Sequence, residues 1–263
     1  MVTGGARQRF YCKSCKKTFT DLTGTSLHRI RYKDKLFLSL RCMLEGYSLP
    51  RTAKQVGVSL PTAFSWRHKI LGVLRCFEDD QLSGILEAND TYFLYSEKGS
   101  RHLERPPRKR GGKAKKPGIN EEQVCVMVAR DRNDNTISDV VTLGRPSADE
   151  IAVVMGDKIS ADSVFCTDKH PSLRKFARLK GLNYQQLNSR KNLRVVKGIY
   201  HIQNVNSYHS RLKSWLRKFK GVATKYLSNY VHWYEFLDRI GEGKAPSVAQ
   251  RDLLLRTCTA NAA

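Results

Sequence analysis

Acidic residues are scarce in this chain. It has 24 Asp and Glu against 47 Lys and Arg, a formal net charge of +23. The shortage is uneven. Residues 1–75 hold three acidic residues against fifteen basic ones, and no Asp or Glu occurs between Asp168 and Glu235. A field of this kind attracts polyanions, and nucleic acid is the expected partner, through phosphate contacts and counterion release. Long apolar runs are also missing. None approaches the roughly 18–20 residues of a membrane span. No segment pairs the positive charge with a long exposed apolar face, so a membrane surface is not expected as a partner. The start, "MVTGGARQRFYCKSC", lacks an apolar h-region, and a secretory signal is not expected. Cysteine is sparse and odd in number: seven, scattered apart from one pair. That excludes a disulfide framework and suits a reducing, cytoplasmic compartment.

What is present changes along the chain. A length of 263 residues allows one large domain, or one medium domain with a small one attached. The stretch "FYCKSCKKTFT" places Cys12 and Cys15 in a CxxC flanked by aromatics, half of a zinc-ribbon pattern. A structural zinc site wants about four ligands. No second CxxC exists and His28 is badly spaced, so residues 1–28 read as a partial zinc-ribbon remnant that does not close around zinc by itself. Residues 29–76 follow as a helical region. Leu36, Leu40, Met43 and Leu44 recur at helical spacing. Ser48 is a candidate cap for a helix through "LPRTAKQV", Gly57 breaks it, and Ser59 caps a second helix through "LPTAFSWRHKIL". Helix, short turn and helix, with Arg67, His68 and Lys69 on the second, form a helix-turn-helix pattern, and the second helix would enter a major groove.

From residue 84 the texture becomes that of a sheet. "ILEANDTYFLY" is a strand, and residues 98–118 are a basic Gly/Pro-rich loop carrying Arg108, Lys109 and Arg110. "QVCVMVA" and "TISDVVTL" are two more strands joined through "RDRNDN". Residues 147–159 are a helix with a Ser147/Glu150 capping box, and residues 163–168 a short strand ending in Asp168. A helix over 171–181, a weak strand over 184–188, and helices over 206–219 and 222–240 complete the series. Three strands pairing as a meander, with later strands added through crossovers, is the element order of a ribonuclease-H-like mixed sheet with flanking helices. The predicted fold is therefore α/β, with that domain over 84–240 and a tail over 241–263.

The helix after residue 206 has two faces. At about 100° per residue, Tyr208, Leu212, Trp215, Leu216 and Phe219 share one side. Asn206, Lys213, Arg217 and Lys220 share the opposite one, which is a solvated basic face or a functional one.

These segments resemble a known family. "YHIQNVNSYHSRLKSWLRKFKGVATKYLSNYVHWYEFL", "RPPRKRGGKAKKPG", "VFCTDKHPSLRKFA" and "FYCKSCKKTFTDLTGTSL" are similar, in order, to segments of bacterial insertion-sequence transposases of the ISXO type in the DDE superfamily. The resemblance implies a zinc ribbon, a helix-turn-helix and a catalytic domain using Mg²⁺ or Mn²⁺. It implies double-stranded DNA as partner, at element ends and target, with self-association on that DNA and a nucleoid-associated location. It places the second metal-binding Asp on Asp168, and an Asn followed by Lys on Asn206 and Lys213.

The first position departs from the family. Its usual Glu-x-Asp-Glu-Thr-Tyr corresponds here to Glu87-Ala88-Asn89-Asp90-Thr91-Tyr92, so Asn89 stands where Asp is expected and Asp90 where Glu is. Strand alternation aims Asp90 at the opposite face from Asn89, together with Leu86, Ala88, Tyr92 and Leu94. Glu87 shares the face of Asn89 and is a conceivable substitute. Mg²⁺ prefers anionic oxygen, and with Asn89 and Asn206 neutral only Asp168 would be charged. The expectation is a transposase whose copy here is catalytically impaired. The start of the chain, lacking the family's first CxxC pair, suits a decaying element. The alternative classes are a non-catalytic DNA-binding protein derived from a transposase, and a nuclease without strand transfer.

Overall fold

The structure is a computed structural model. It describes residues 8–74, 81–103, 105–109, 111–187, 195–240, 248, 251 and 253–255. Arg110, Asn188, residues 75–76 and most of the 241–263 tail lie outside the described residues. The chain divides into two compact units, Met1–Phe77 with Glu242–Ala263, and Glu78–Gly241.

In the first unit, β1 (Phe10–Tyr11) and β2 (Thr18–Phe19) pair antiparallel, and Phe10 stacks on Phe19 at 5.4 Å between ring centroids. Three helices follow: α1 (Leu36–Leu44), α2 (Leu49–Val56) and α3 (Leu60–Leu74). Gly57 ends α2 at φ 66°, ψ 47°, a left-handed cap that glycine adopts without steric cost. Ser48 makes no side-chain cap bond, contrary to the expectation, whereas Ser59 Oγ accepts from the Thr62 amide at 3.3 Å. Ala63, Trp66, Ile70, Leu71 and Leu74 form the buried stripe of α3, at the spacing that one helix face requires.

The second unit is a five-stranded mixed sheet flanked by helices. Its strands are β3 (Ile85–Leu94), β4 (Gln123–Arg130), β5 (Thr136–Leu143), β6 (Val164–Thr167) and β7 (Asn183–Gln186), in the spatial order β5-β4-β3-β6-β7. β3, β4 and β5 are antiparallel neighbours, and β6 and β7 add in parallel to β3. The parallel strands are fed by α4 (Ala148–Met155) and α5 (Pro171–Leu179), as parallel pairing requires. The capping box of Ser147 and Glu150 starts α4.

The two sheet faces are covered differently. Leu86, Ala88, Met127, Ala129 and Phe165 pack with Ile151 and Met155 of α4 and Phe176 of α5. On the other face α6 (Gln203–Arg217) lies on β3 and β4, and α7 (Thr224–Ile240) on β5. Val124–Arg130 of β4 are buried throughout, because helices cover both sides of that strand. Trp215, Phe219, Tyr230 and Trp233 join α6 to α7 by edge-on and tilted ring contacts at 4.8–6.2 Å.

Candidate active site

The site is built where β3 and β6 run side by side. Their register pairs Ala88 with Thr167, the last residue of β6. Asp168 therefore leaves the strand level with Asn89. β3 pairs with β4 without a register shift from Glu87 to Leu94, so side chains alternate strictly along it. Asn89 turns towards α6 and donates Nδ2–H to Asn206 Oδ1 at 3.0 Å. Its own Oδ1 accepts the Asp90 amide at 3.0 Å. Two of the residues singled out from the sequence thus meet across 117 positions of chain.

Asp90 points to the other face, where Tyr92 Oη donates to its Oδ2 at 2.5 Å and His170 Nε2 lies 3.1 Å from the same oxygen. His170 is also the N-cap of α5. Its Nδ1 accepts the Leu173 amide at 3.3 Å, which leaves Nε2–H to donate a hydrogen bond to Asp90. The His170 amide in turn donates to the Asp168 carbonyl at 2.7 Å. Asp90 is thus tied, through His170, to the turn that carries Asp168.

The charges follow this geometry. Burial pushes the Asp168 carboxyl above the usual carboxylate range, and the charge of Asp90 adds to the shift while His170 opposes it. Asp168 Oδ1 is buried with no hydrogen-bond partner. Burial acts to raise Asp90 too, but the bonds from His170 and Tyr92 outweigh it and hold that carboxyl low. Burial, with Arg217 second, lowers Lys213, and Asp90 draws it back up. Although Asp90 faces away from Asn89, its charge therefore reaches both Asp168 and Lys213. Burial also brings His209 down to about 4, helped by Lys213, so it is neutral at neutral pH.

Glu87 has a different task. It is fully buried, and Oε2 accepts the amides of Asn204 and Val205 at the start of α6, at 2.8 and 3.1 Å. Oε1 is 2.6 Å from Arg132 Nη1 and 3.2 Å from His201 Nδ1. A carboxylate at a helix N-terminus stabilises it through the helix dipole. Glu87 is thereby committed to holding α6, and with it Asn206, against β3. The sequence does not display this role because the partner amides lie 117 and 118 residues away. Nor does the expected site include His170, although a residue directly before Pro171 at a helix start is a recognisable cap position.

Other candidates fall elsewhere. Arg67 lies within the buried stripe of α3 and is 2% exposed, donating to the Tyr47 carbonyl at 2.7 Å and to Thr52 Oγ1 at 2.9 Å. Burial removes it from the DNA-contacting role expected of it. His68 meets Phe64 at a tilt, with ring centroids 4.3 Å apart, and burial lowers it to about 4. Lys69 donates to the His28 carbonyl at 2.7 Å. Arg108 is engaged within the loop, with the Tyr95 carbonyl at 2.5 Å and Glu122 at 3.3 Å. Lys109, Arg217 and Lys220 are exposed. Cys12 and Cys15 lie together on the hairpin, the Cys15 amide donating to Cys12 Sγ at 3.4 Å. Among the described residues no group of three or more His, Cys, Asp or Glu side chains is placed to hold a metal.

The model of the ISXO2-like transposase domain matches residues 81–237, more than half of the chain and all of the sheet with α6. The chain belongs to the ISXO2-like transposase family. It is also 24% identical, over 236 residues, to an uncharacterized protein in the transposable element ISH50 of Halobacterium salinarum, covering 87% of this chain and 77% of that protein. Among solved structures it is similar to the Mos1 mariner paired-end complex with Mn, at 11% identity and a TM-score of 0.29 over 87% of this chain and 80% of that one. The corresponding complex with Mg gives 12% identity and 0.29, over 88% and 81%. At those scores the likeness does not bear on the geometry of this family member's site. No helix among the described residues is long and apolar enough to cross a membrane.

Proposed function

We propose that this family member is an insertion-sequence transposase that binds double-stranded DNA at element ends and cleaves and transfers strands with a divalent cation, and that Asn89 weakens this copy. The catalytic unit is ribonuclease-H-like, with Asn89, Asp168 and Asn206 as the three site positions. The observation that carries the proposal is the meeting of Asn89 and Asn206 at 3.0 Å, level with Asp168, inside the segment that defines the family.

A divalent cation fits this donor set thinly. Asp168 offers a buried oxygen without a partner, and the charge of Asp90 reaches it from the other face of the sheet. Asn89 and Asn206 offer amide oxygens that each already accept one hydrogen bond. Asp168, Asn89 and Asn206 would hold Mg²⁺ or Mn²⁺, which when bound supplies Lewis-acid stabilisation of the oxygens at the reacting phosphate. Lys213 orients that phosphate from α6. Asp90 and His170 position the Asp168 turn, and Glu87 positions α6. The first unit supplies end recognition as a helix-turn-helix. Exposed Lys54 on α2 is available to phosphate there, whereas Arg67 is not. Partner copies joining on DNA belong to the same proposal.

One observation favours the second reading, a DNA-binding protein without catalysis. The oxygens of both site amides already accept hydrogen bonds, Asn206 from Asn89 and Asn89 from the Asp90 amide, which leaves Asp168 as the strong ligand. A cleavage and joining assay on element-end DNA with Mg²⁺ or Mn²⁺, run on the parent beside Asn89→Asp, separates the two.

A further inference from the structure

Beside the candidate active site, within the second unit, lies a cavity of about 1130 Å³ that shares only Lys213 with the proposed cleavage chemistry. Its walls are the end of β3, the loop after it, and the C-terminal half of α6 with the start of α7. That volume exceeds the roughly 300–1,000 Å³ of a pocket for one small molecule, so a chain-like ligand suits it better.

The walls are built, not loose. Lys98 Nζ donates to the carbonyls of Phe219, Lys220 and Gly221 at 2.7–3.2 Å, closing the C-terminal end of α6. Ser96 and Thr224 exchange two bonds, at 2.7 and 2.8 Å. Arg105 and Arg108 both donate to the Tyr95 carbonyl. Three of the loop's cations therefore hold the wall in place.

The remaining cations are differently placed. Lys109, Arg217 and Lys220 are exposed on the rim, and Lys213 is half-buried at the end nearest Asp90. Leu94 and Leu103 are exposed on the same cavity, at 37% and 45%, Phe93 is half-buried, and Leu216 and Leu227 form the buried floor beneath them. A rim of cations around apolar surface is complementary to a strand whose phosphates and unstacked bases are both accessible. A duplex hides its base faces in the stack and would leave the apolar surface empty.

We propose that the cavity bordered by Leu103, Lys109, Lys213, Arg217 and Lys220 binds a single-stranded segment of DNA leading to the Asp168 site, with bases on the apolar surface and phosphates on the rim. This rests on the nucleic-acid part of the proposed function and not on its cleavage part.

The test uses the full chain. Affinity is measured for an oligothymidylate of about eight nucleotides and for a blunt duplex, at one salt concentration, with parent, Leu103→Asp and Lys220→Ala. Both substituted positions are exposed, and thermal melting checks that each variant folds as the parent does. Leu103→Asp is expected to weaken oligothymidylate binding about tenfold and duplex binding less than about twofold, because lost base contact carries the difference. Lys220→Ala is expected to weaken both. Iododeoxyuridine in the oligonucleotide should crosslink to the 92–112 or 213–227 segments, which the parent protein alone can report. Absence of oligothymidylate binding, equal loss for both ligands in Leu103→Asp, or crosslinks confined elsewhere would overturn the proposal. Loss of cleavage with single-strand binding intact would instead count against the transposase reading alone.

Discussion

α3 and α6 both present themselves in sequence as basic helices, yet they use their cations in opposite ways. Arg67 of α3 turns inward, to the Tyr47 carbonyl and Thr52, while half-buried His68 and Lys69 are engaged by Phe64 and by the His28 carbonyl. Arg217, the last residue of α6, turns outward, opposite Tyr208, Leu212 and Trp215, and Lys220, three residues beyond the helix, is exposed as well. The difference lies in where each cation sits relative to the apolar stripe. Arg67 follows Ala63 by four residues and precedes Ile70 by three, in the middle of the buried face. Lys213 and Arg217 fall off the stripe of their own helix. Charge measures attraction to DNA for the molecule as a whole, while helical phase decides which residues are free to deliver it.

The largest expected effect breaks the inward case. Arg67→Ala should destabilise the first unit by about 3 kcal/mol, because it leaves the Tyr47 carbonyl and Thr52 without their charged donor and opens a cavity. Urea denaturation measures it. A loss of DNA affinity without loss of stability would place Arg67 back on the DNA.

Acid should act next, again through inward-facing groups. His209 on α6 is lowered from 6.5 to about 4 by burial, so the unfolded chain takes up its proton at a higher pH than the folded one. Stability is therefore complete above about 6.5 and falls as pH drops towards about 4, by up to about 3 kcal/mol from His209. His68 adds to the loss in the same window. Melting temperature against pH should show it, and His209→Gln should flatten that part of the profile. An unchanged profile in His209→Gln would mean that the ring is solvated.

The smallest effect on stability belongs to the outward case. Arg217→Ala should leave unfolding unchanged while reducing the slope of log affinity against log salt by about one unit on duplex DNA. An unchanged slope would make the outer face of α6 merely solvated.

Much of the fold was legible because it rests on local rules. Leu86 and Ala88 against Glu87 and Asn89 set the strand alternation, Ser147 with Glu150 announced α4, and Pro171 with Gly181 bracketed α5. The errors sit where tertiary partners replace local ones. α6 begins at Gln203, ahead of the predicted Asn206, because Glu87 on β3 caps it from across the sheet. Ser48 looked like a cap, yet its helix starts without that bond. At the candidate site, Asn89, Asp168 and Asn206 could be named by resemblance and alternation. The link from Asp90 through His170 to the Asp168 turn could not, since it joins residues 80 positions apart. Alternation gives the face to which a carboxylate points, but not how far its charge reaches, and Asp90 acts on Asp168 from the opposite face.

The most direct measurement is metal-dependent cleavage and joining of element-end DNA by the parent, Asn89→Asp and Asp90→Asn. Asn89→Asp restores a carboxylate level with Asp168, and its cleavage rate should exceed the parent's by more than about tenfold. Asp90→Asn should lower the parent rate only modestly, through a looser Asp168 turn. A parent that cleaves efficiently and loses all activity in Asp90→Asn would contradict the account, making Asp90 the first metal-binding carboxylate.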